Sequence, residues 1–126
     1  MGTYDGPYDD AAGTGALDAG ARGWIVVAAL TLGFAGLCNV VVALFAADEA
    51  RALVALAVAA CEVGAAFAVL TETALGRTVG IAVAGFAAAA QLAFAPLHPT
   101  WTLALALFDV FAVYALAMAA GREVAA

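Results

Sequence analysis

The chain has 126 residues, of which 67% are hydrophobic and 11% are charged, and its mean hydropathy is +1.09. A soluble domain of this size cannot bury so much apolar surface, so the composition indicates an integral membrane protein. The net charge of −6 and the lack of a basic patch exclude nucleic acid as a partner.

The first 22 residues are polar and glycine-rich, and they lack the basic start and apolar core of a signal peptide. We predict a disordered acidic tail over residues 1–22. Four apolar runs follow, each near the roughly 20 residues that span a membrane as a helix: 23–47, 51–70, 77–94 and 101–120. A short C-terminal tail, 121–126, completes the chain. No room remains for a soluble catalytic domain, so we expect no enzymatic activity.

The connections between the apolar runs are short, so each run pairs with an antiparallel neighbour. This predicts an all-α fold, an integral membrane four-helix bundle with up-down-up-down topology. Arg22, Arg77 and Arg122 fall on the side that holds both termini, and Arg51 falls on the other. The excess of basic residues predicts that both termini lie in the cytoplasm, with the chain in the cell membrane.

Each run contains or borders one polar residue that needs an explanation: Asn39, Glu62, Gln91 or Asp109. The helical period of 3.6 places each of them among Ala and Gly, with most large side chains on the opposite face. Small-residue stripes are where membrane helices approach closely, so we predict that all four side chains point into the bundle. For Asp109 the shared face holds Thr102, Ala106 and Ala112, and the opposite face holds Leu107, Phe111 and Tyr114.

The depths of these polar residues are similar enough for a single cluster in the outer half of the membrane. From the helical rise, Asn39, Glu62 and Asp109 lie roughly 12 to 16 Å below the outer ends of their runs, and Gln91 about 5 Å. Two carboxyls in a low-dielectric bundle resist being charged together, so they can share a proton. The functional hypothesis is a proton- or cation-linked site formed by Glu62 and Asp109, with Asn39 as hydrogen-bond partner. The alternative is that protonated acids only fix the helix packing.

Other chemistry is sparse along the chain. Cys38 and Cys61 lie at similar depth but lack Cys-x-x-Cys spacing, which favours buried free thiols over a redox pair. His98 is the only histidine, so haem held by two histidines within the chain is excluded. No phosphate loop, nucleophile elbow or zinc-binding helix motif is present. We therefore predict no cofactor and no metal site.

Two segments of the second half resemble a known family: GRTVGIAVAG (76–85) and AQLAFAPLHPTWTLALALFDVFAVYAL (90–116). They are similar to a family of small four-span membrane proteins found in actinobacteria and classed as a domain of unknown function. Gln91 and Asp109 match its pattern, as does Asn39 in the first run, whereas Glu62 is not part of it. The resemblance implies the four-span topology and no known activity.

The sequence favours a non-enzymatic accessory or interaction subunit, or a membrane homo-oligomer. Its expected partners are the lipid bilayer and either a second copy or other membrane protein subunits. The alternative is a small proton- or cation-linked transporter or channel that uses the buried carboxyls, as a dimer. Small multidrug exporters of similar size carry their key Glu in the first span, where this chain has Asn39. A membrane enzyme or quinone-redox protein would need residues that the chain lacks.

Overall fold

The computed structural model describes residues 7–96 and 99–125, with side chains from residue 19 onward apart from those at 123 and 125. Four helices account for nearly all of this part of the chain: α1 (Pro7–Leu44), α2 (Glu49–Leu70), α3 (Ala74–Phe94) and α4 (Pro99–Ala125). Each helix is long and apolar enough to cross a membrane. The predicted all-α fold of four membrane-spanning helices is confirmed.

The helices form a bundle in which each packs against its neighbour in the chain and α4 returns to α1. One end, here called the termini end, holds the end of α4 and the α2–α3 connection at 71–73. The opposite end, here called the far end, holds the α1–α2 connection at 45–48 and residues 95 and 96 after α3. The large apolar side chains mostly face outward, toward lipid, among them Leu30, Phe67, Phe86 and Leu107.

Capping residues set the start of two helices slightly before the predicted runs. Asp48 precedes α2 and accepts a hydrogen bond from the backbone N–H of Arg51 at 2.8 Å. Thr73 precedes α3 and accepts from the N–H of Gly76 at 3.0 Å. Such side chains satisfy N–H groups that a helix leaves unpaired at its start. Because the first turns are more polar than the spans, hydropathy alone places these helix starts a few residues late.

The first helix differs most from the sequence-based expectation. It begins at Pro7, so residues 7–22 are helical where a disordered tail was predicted. Proline is well tolerated in the first turn of a helix, and no further proline occurs before Gly23. The helix therefore continues upstream of the apolar run, and its membrane-spanning part is residues 19–44. This polar segment has no apolar periodicity, so its sequence does not indicate a helix.

On the termini side of the bundle centre, the interior is closed by close packing. Leu32, Val69 and Leu116 come from three helices and have no exposed surface. They meet at Gly80 of α3, where an added Cβ would lie 2.5 Å from Val69 Cγ2 and 2.9 Å from Leu116 Cδ1. Leu32, Val69 and Leu116 are called the apolar layer below. Only a glycine at position 80 leaves room for them.

Candidate functional site

The four polar residues singled out by the sequence come together in the interior, one from each helix. Asn39 is 2% exposed, Glu62 0%, Gln91 7% and Asp109 0%. Their inward orientation is the one that the helical period predicts. These four residues are called the polar cluster below. Their contacts cross both diagonals of the bundle, from α1 to α3 and from α2 to α4, so the cluster occupies the bundle axis.

Asn39 joins α1 to α2 through a direct hydrogen bond to a carboxyl. Its Nδ2 donates to Glu62 Oε2 at 2.8 Å and also contacts the backbone carbonyl oxygen of Ala35 at 3.3 Å. A carbonyl oxygen can only accept, so this second contact fixes which end of the Asn39 amide carries the N–H groups. The close approach depends on Gly36, where an added Cβ would lie 2.8 Å from Val63 Cγ2 and 3.2 Å from the Ala59 carbonyl oxygen.

Gln91 continues the hydrogen-bonded chain from α3. Its Nε2 donates to Asn39 Oδ1 at 2.9 Å. Both amides therefore point their N–H groups along the same direction, from Gln91 through Asn39 to Glu62. Aligned donors of this kind stabilise negative charge at the acceptor where the chain ends. Of the residues in the polar cluster, Glu62 is therefore the one on which this geometry favours a negative charge.

Asp109 meets Glu62 across the bundle, with the two carboxyl groups within reach of a hydrogen bond. In the part of the chain that the structure describes, Glu62 Oε1 and both oxygens of Asp109 have no donor. Carboxylates only accept, so two ionised groups would face each other without a hydrogen bond between them. With one proton between the groups, one carboxyl donates a hydrogen bond to the other. Asp109 then has a hydrogen-bond partner, and Glu62 has a second one.

Among the residues with described side chains, the groups that act on the two carboxyls are Asn39 and the carboxyls themselves, with no basic side chain. Arg51 pairs with Asp48, with Nε and Oδ2 3.0 Å apart, and Arg22 pairs with Glu72, with Nε and Oε1 3.3 Å apart. Within the same residues, no group of three His, Cys, Asp or Glu side chains forms a set of metal ligands. The only histidine of the sequence, His98, lies outside the described residues.

A cavity of about 430 Å³ opens between the helices at the far end and leads down to the polar cluster. Asn39 and Gln91 line its deep end, Arg51 lines its mouth, and Phe45, Phe94 and Trp101 contribute aromatic walls. Glu62 and Asp109 do not line it, but Asn39, which does, donates a hydrogen bond to Glu62. The sequence alone does not predict this cavity. The one sequence feature that relates to the cavity is Thr102, which lies on the Asp109 face of α4 and lines the cavity.

The two cysteines lie outside the polar cluster. Cys38 is half-buried and Cys61 is exposed on the outer face of α2, and both are free thiols. The α1–α2 packing that joins Asn39 to Glu62 does not pair the two sulfurs. The expectation that both are buried is wrong for Cys61, and neither cysteine contributes to the geometry of the site.

A comparison with known families matches residues 49–121 to a family model described as a domain of unknown function (DUF7144). The match covers more than half of the chain and includes Glu62, Gln91 and Asp109, while Asn39 lies before it. The expected resemblance to a family of unknown function is confirmed over this range. No curated protein and no solved structure matches the chain.

Proposed function

We propose that this chain, which belongs to the DUF7144 family, is a non-enzymatic membrane protein that binds and releases a proton or cation at Glu62 and Asp109 as part of transport. One observation carries the proposal. Glu62 Oε1 and both Asp109 oxygens are buried and have no donor among the described residues. The neighbouring amides, by contrast, are hydrogen-bonded, Asn39 to Glu62 and Gln91 to Asn39. One proton between the carboxyls satisfies two of these oxygens and leaves one Asp109 oxygen as a free acceptor. An ionisable pair with a free acceptor inside a membrane is by default a candidate for function.

The directions of the hydrogen bonds favour a proton over an inorganic cation. A metal ion needs oxygen ligands, and the amide atoms that reach Glu62 are N–H donors. The Asn39 oxygen is already taken by Gln91. A proton between the carboxyls requires no change in this arrangement. Of the two ions, the proton fits the site as it stands.

The asymmetry of the bundle supports access from one side at a time. The far-end cavity reaches Asn39 and Gln91, and the apolar layer closes the interior toward the termini. A transporter exposes its site alternately to the two sides, and this arrangement suits the state open at the far end. With the termini in the cytoplasm, as the arginines predict, the cavity opens outward.

Proton movement into vesicles containing the purified protein tests the proposal. We expect uptake of protons, driven by an imposed membrane potential, that Asp109→Asn reduces at least about tenfold, the size expected when a site loses its exchangeable proton. The matched control is Glu49→Gln, which makes the same kind of change at an exposed carboxyl in the first turn of α2. Equal uptake by the wild-type and Asp109→Asn proteins would refute the proposal.

The second candidate function is an accessory subunit or membrane homo-oligomer, and the exposure of α3 favours it. Only 22% of the α3 span is buried, against 39% of each other span. Its outward face carries the small residues Ala82, Gly85 and Ala89, and an added Cβ at Gly85 would meet nothing within 4 Å. Small faces of this kind suit close helix contacts. Purification from native membranes in mild detergent, followed by mass measurement, distinguishes a defined hetero-complex from a homodimer or monomer.

A further inference from the structure

We propose that the far-end cavity binds an organic ammonium ion whose charge is attracted by the Glu62–Asp109 pair. The inference rests on the proposed function and deepens it, because it names the chemical class of the transported or coupled molecule. The cavity volume of about 430 Å³ falls within the range of roughly 300–1,000 Å³ that is typical of small-molecule sites. The cavity therefore has room for an ion with an aromatic or aliphatic group attached.

The charges around the cavity favour a cation. Once the carboxyl pair holds a single proton, it keeps one negative charge in the bundle interior. No basic side chain among the described residues pairs with that charge, and low-dielectric surroundings extend its reach. At the mouth, the charge of Arg51 is balanced by Asp48 at 3.0 Å. The deep end of the cavity is therefore the negative end, which disfavours anions.

The walls favour an organic cation over a hydrated inorganic one. Phe94 and the half-exposed Trp101 line the cavity beside aliphatic residues of α1 and α2, and Phe45, which is 84% exposed, lies at its outer edge. Aromatic faces attract ammonium groups and require no hydrogen bond from them. Of the two amide oxygens at the deep end, Asn39 Oδ1 already accepts from Gln91, so only Gln91 Oε1 is left to replace the several waters of an inorganic ion. A tertiary or quaternary ammonium with an apolar substituent meets both requirements.

Trp101 provides a direct reporter of occupancy, because it lines the cavity while Trp24 packs against Tyr114 near the termini end. The experiment uses the full-length Trp24→Phe protein in detergent micelles and follows Trp101 fluorescence. The probe is benzyltrimethylammonium. Its control is neopentylbenzene, which has the same shape with carbon in place of the charged nitrogen. We expect a saturable change with the cation and no competition from the neutral compound.

Charge-removing variants connect the binding to the carboxyl pair. We expect Glu62→Gln/Asp109→Asn to weaken cation binding at least about tenfold, the loss expected when a desolvated charge is removed, and Glu49→Gln to leave it unchanged. Should the double variant fail to fold, Ala90→Leu tests the same proposal, because it fills the cavity wall and leaves the carboxyls intact. It is expected to abolish binding.

Two results would overturn the inference. One is equal binding of the neutral compound, which would make the cavity a general apolar site, such as one for a lipid acyl chain. The other is cation binding unaffected by the charge-removing variants. The vesicle assay separates this inference from the proposed function. Asp109-dependent proton uptake without ammonium binding refutes the inference alone, and ammonium binding without proton uptake refutes the proton-transport proposal alone.

Discussion

At the scale of single residues, Asn39 holds the polar cluster together because it is both donor and acceptor. Its N–H group reaches Glu62 at 2.8 Å, and its oxygen receives Gln91 at 2.9 Å. Aspartate at this position would lack the donor, and leucine would lack both functions. The residue therefore sets the direction of the whole hydrogen-bonded chain.

Asn39→Ala tests this role through stability. The variant leaves a buried Glu62 oxygen and the Gln91 amide without their partners, so we expect the free energy of unfolding to fall by about 1–3 kcal/mol. The measurement is reversible unfolding in mixed micelles. The control is Thr31→Ala, which removes a hydroxyl bonded only to the carbonyl oxygen of Val27 in its own helix, at 2.7 Å. We expect that control to change stability by less than about 0.5 kcal/mol. Equal effects from the two variants would contradict the role given to Asn39.

Much of the polar cluster could be predicted because a helix fixes which residues share a face. The period of 3.6 correctly placed Asn39, Glu62, Gln91 and Asp109 inward. It also placed large residues such as Leu107 outward, where the structure has that residue 69% exposed. The direction of the amide chain could not be predicted, because it depends on the carbonyl of Ala35 and on side-chain rotamers. Gln91 has the shallowest position of the four, but its long side chain still reaches Asn39.

At the scale of the helices, glycines determine how closely the spans pack. Gly36 brings α1 to α2 beside the polar cluster, and Gly80 admits the apolar layer. The sequence contained the spacing Gly76-x-x-x-Gly80, which is common by chance in a chain this rich in Ala and Gly. Which glycines face a neighbouring helix becomes certain only once the packing is known. Gly64 and Gly85, for instance, meet no other group within 4 Å of an added Cβ.

Gly80→Ala is expected to lower the free energy of unfolding by about 1–3 kcal/mol, because the added methyl overpacks Val69 and Leu116. The matched control is Gly85→Ala in the same helix, where the added methyl meets open space. That change is expected to leave stability unchanged or raise it by up to about 1 kcal/mol, since alanine is the better helix former. Both variants can be measured by unfolding in mixed micelles. If Gly85→Ala is as destabilising as Gly80→Ala, the description of the apolar layer is wrong.

At the scale of the whole molecule, the bundle is asymmetric along its axis. The far end has a cavity that reaches the polar cluster, and the apolar layer closes the bundle interior on the other side of the cluster. Composition and span count do not predict this difference. It follows from side-chain sizes at particular depths, with Leu32, Val69 and Leu116 on one side of the cluster and Ala55 and Ala90 on the other.

The proposed orientation can be measured by labelling with a membrane-impermeant maleimide. In a Cys38→Ala/Cys61→Ala background, we expect Glu49→Cys to react in intact cells, since it lies at the far end. We expect Gly121→Cys to react only after the cells are permeabilised, because the excess of arginines predicts that the termini end lies in the cytoplasm. Both positions are exposed, so they serve as controls for each other. The reverse labelling pattern would mean that the cavity opens to the cytoplasm.

The shared proton can be tested by asking whether the Glu62–Asp109 pair is protonated inside the bundle at neutral pH. Infrared spectroscopy of the full-length protein in lipid detects the carbonyl stretch of a protonated carboxylic acid. We predict that this band is present in the wild-type protein, persists in Glu49→Gln and disappears in Asp109→Asn, in which an amide can donate to an ionised Glu62. A wild-type spectrum without a protonated carboxyl, or a band that persists in Asp109→Asn, would contradict the shared proton on which the proposed function depends.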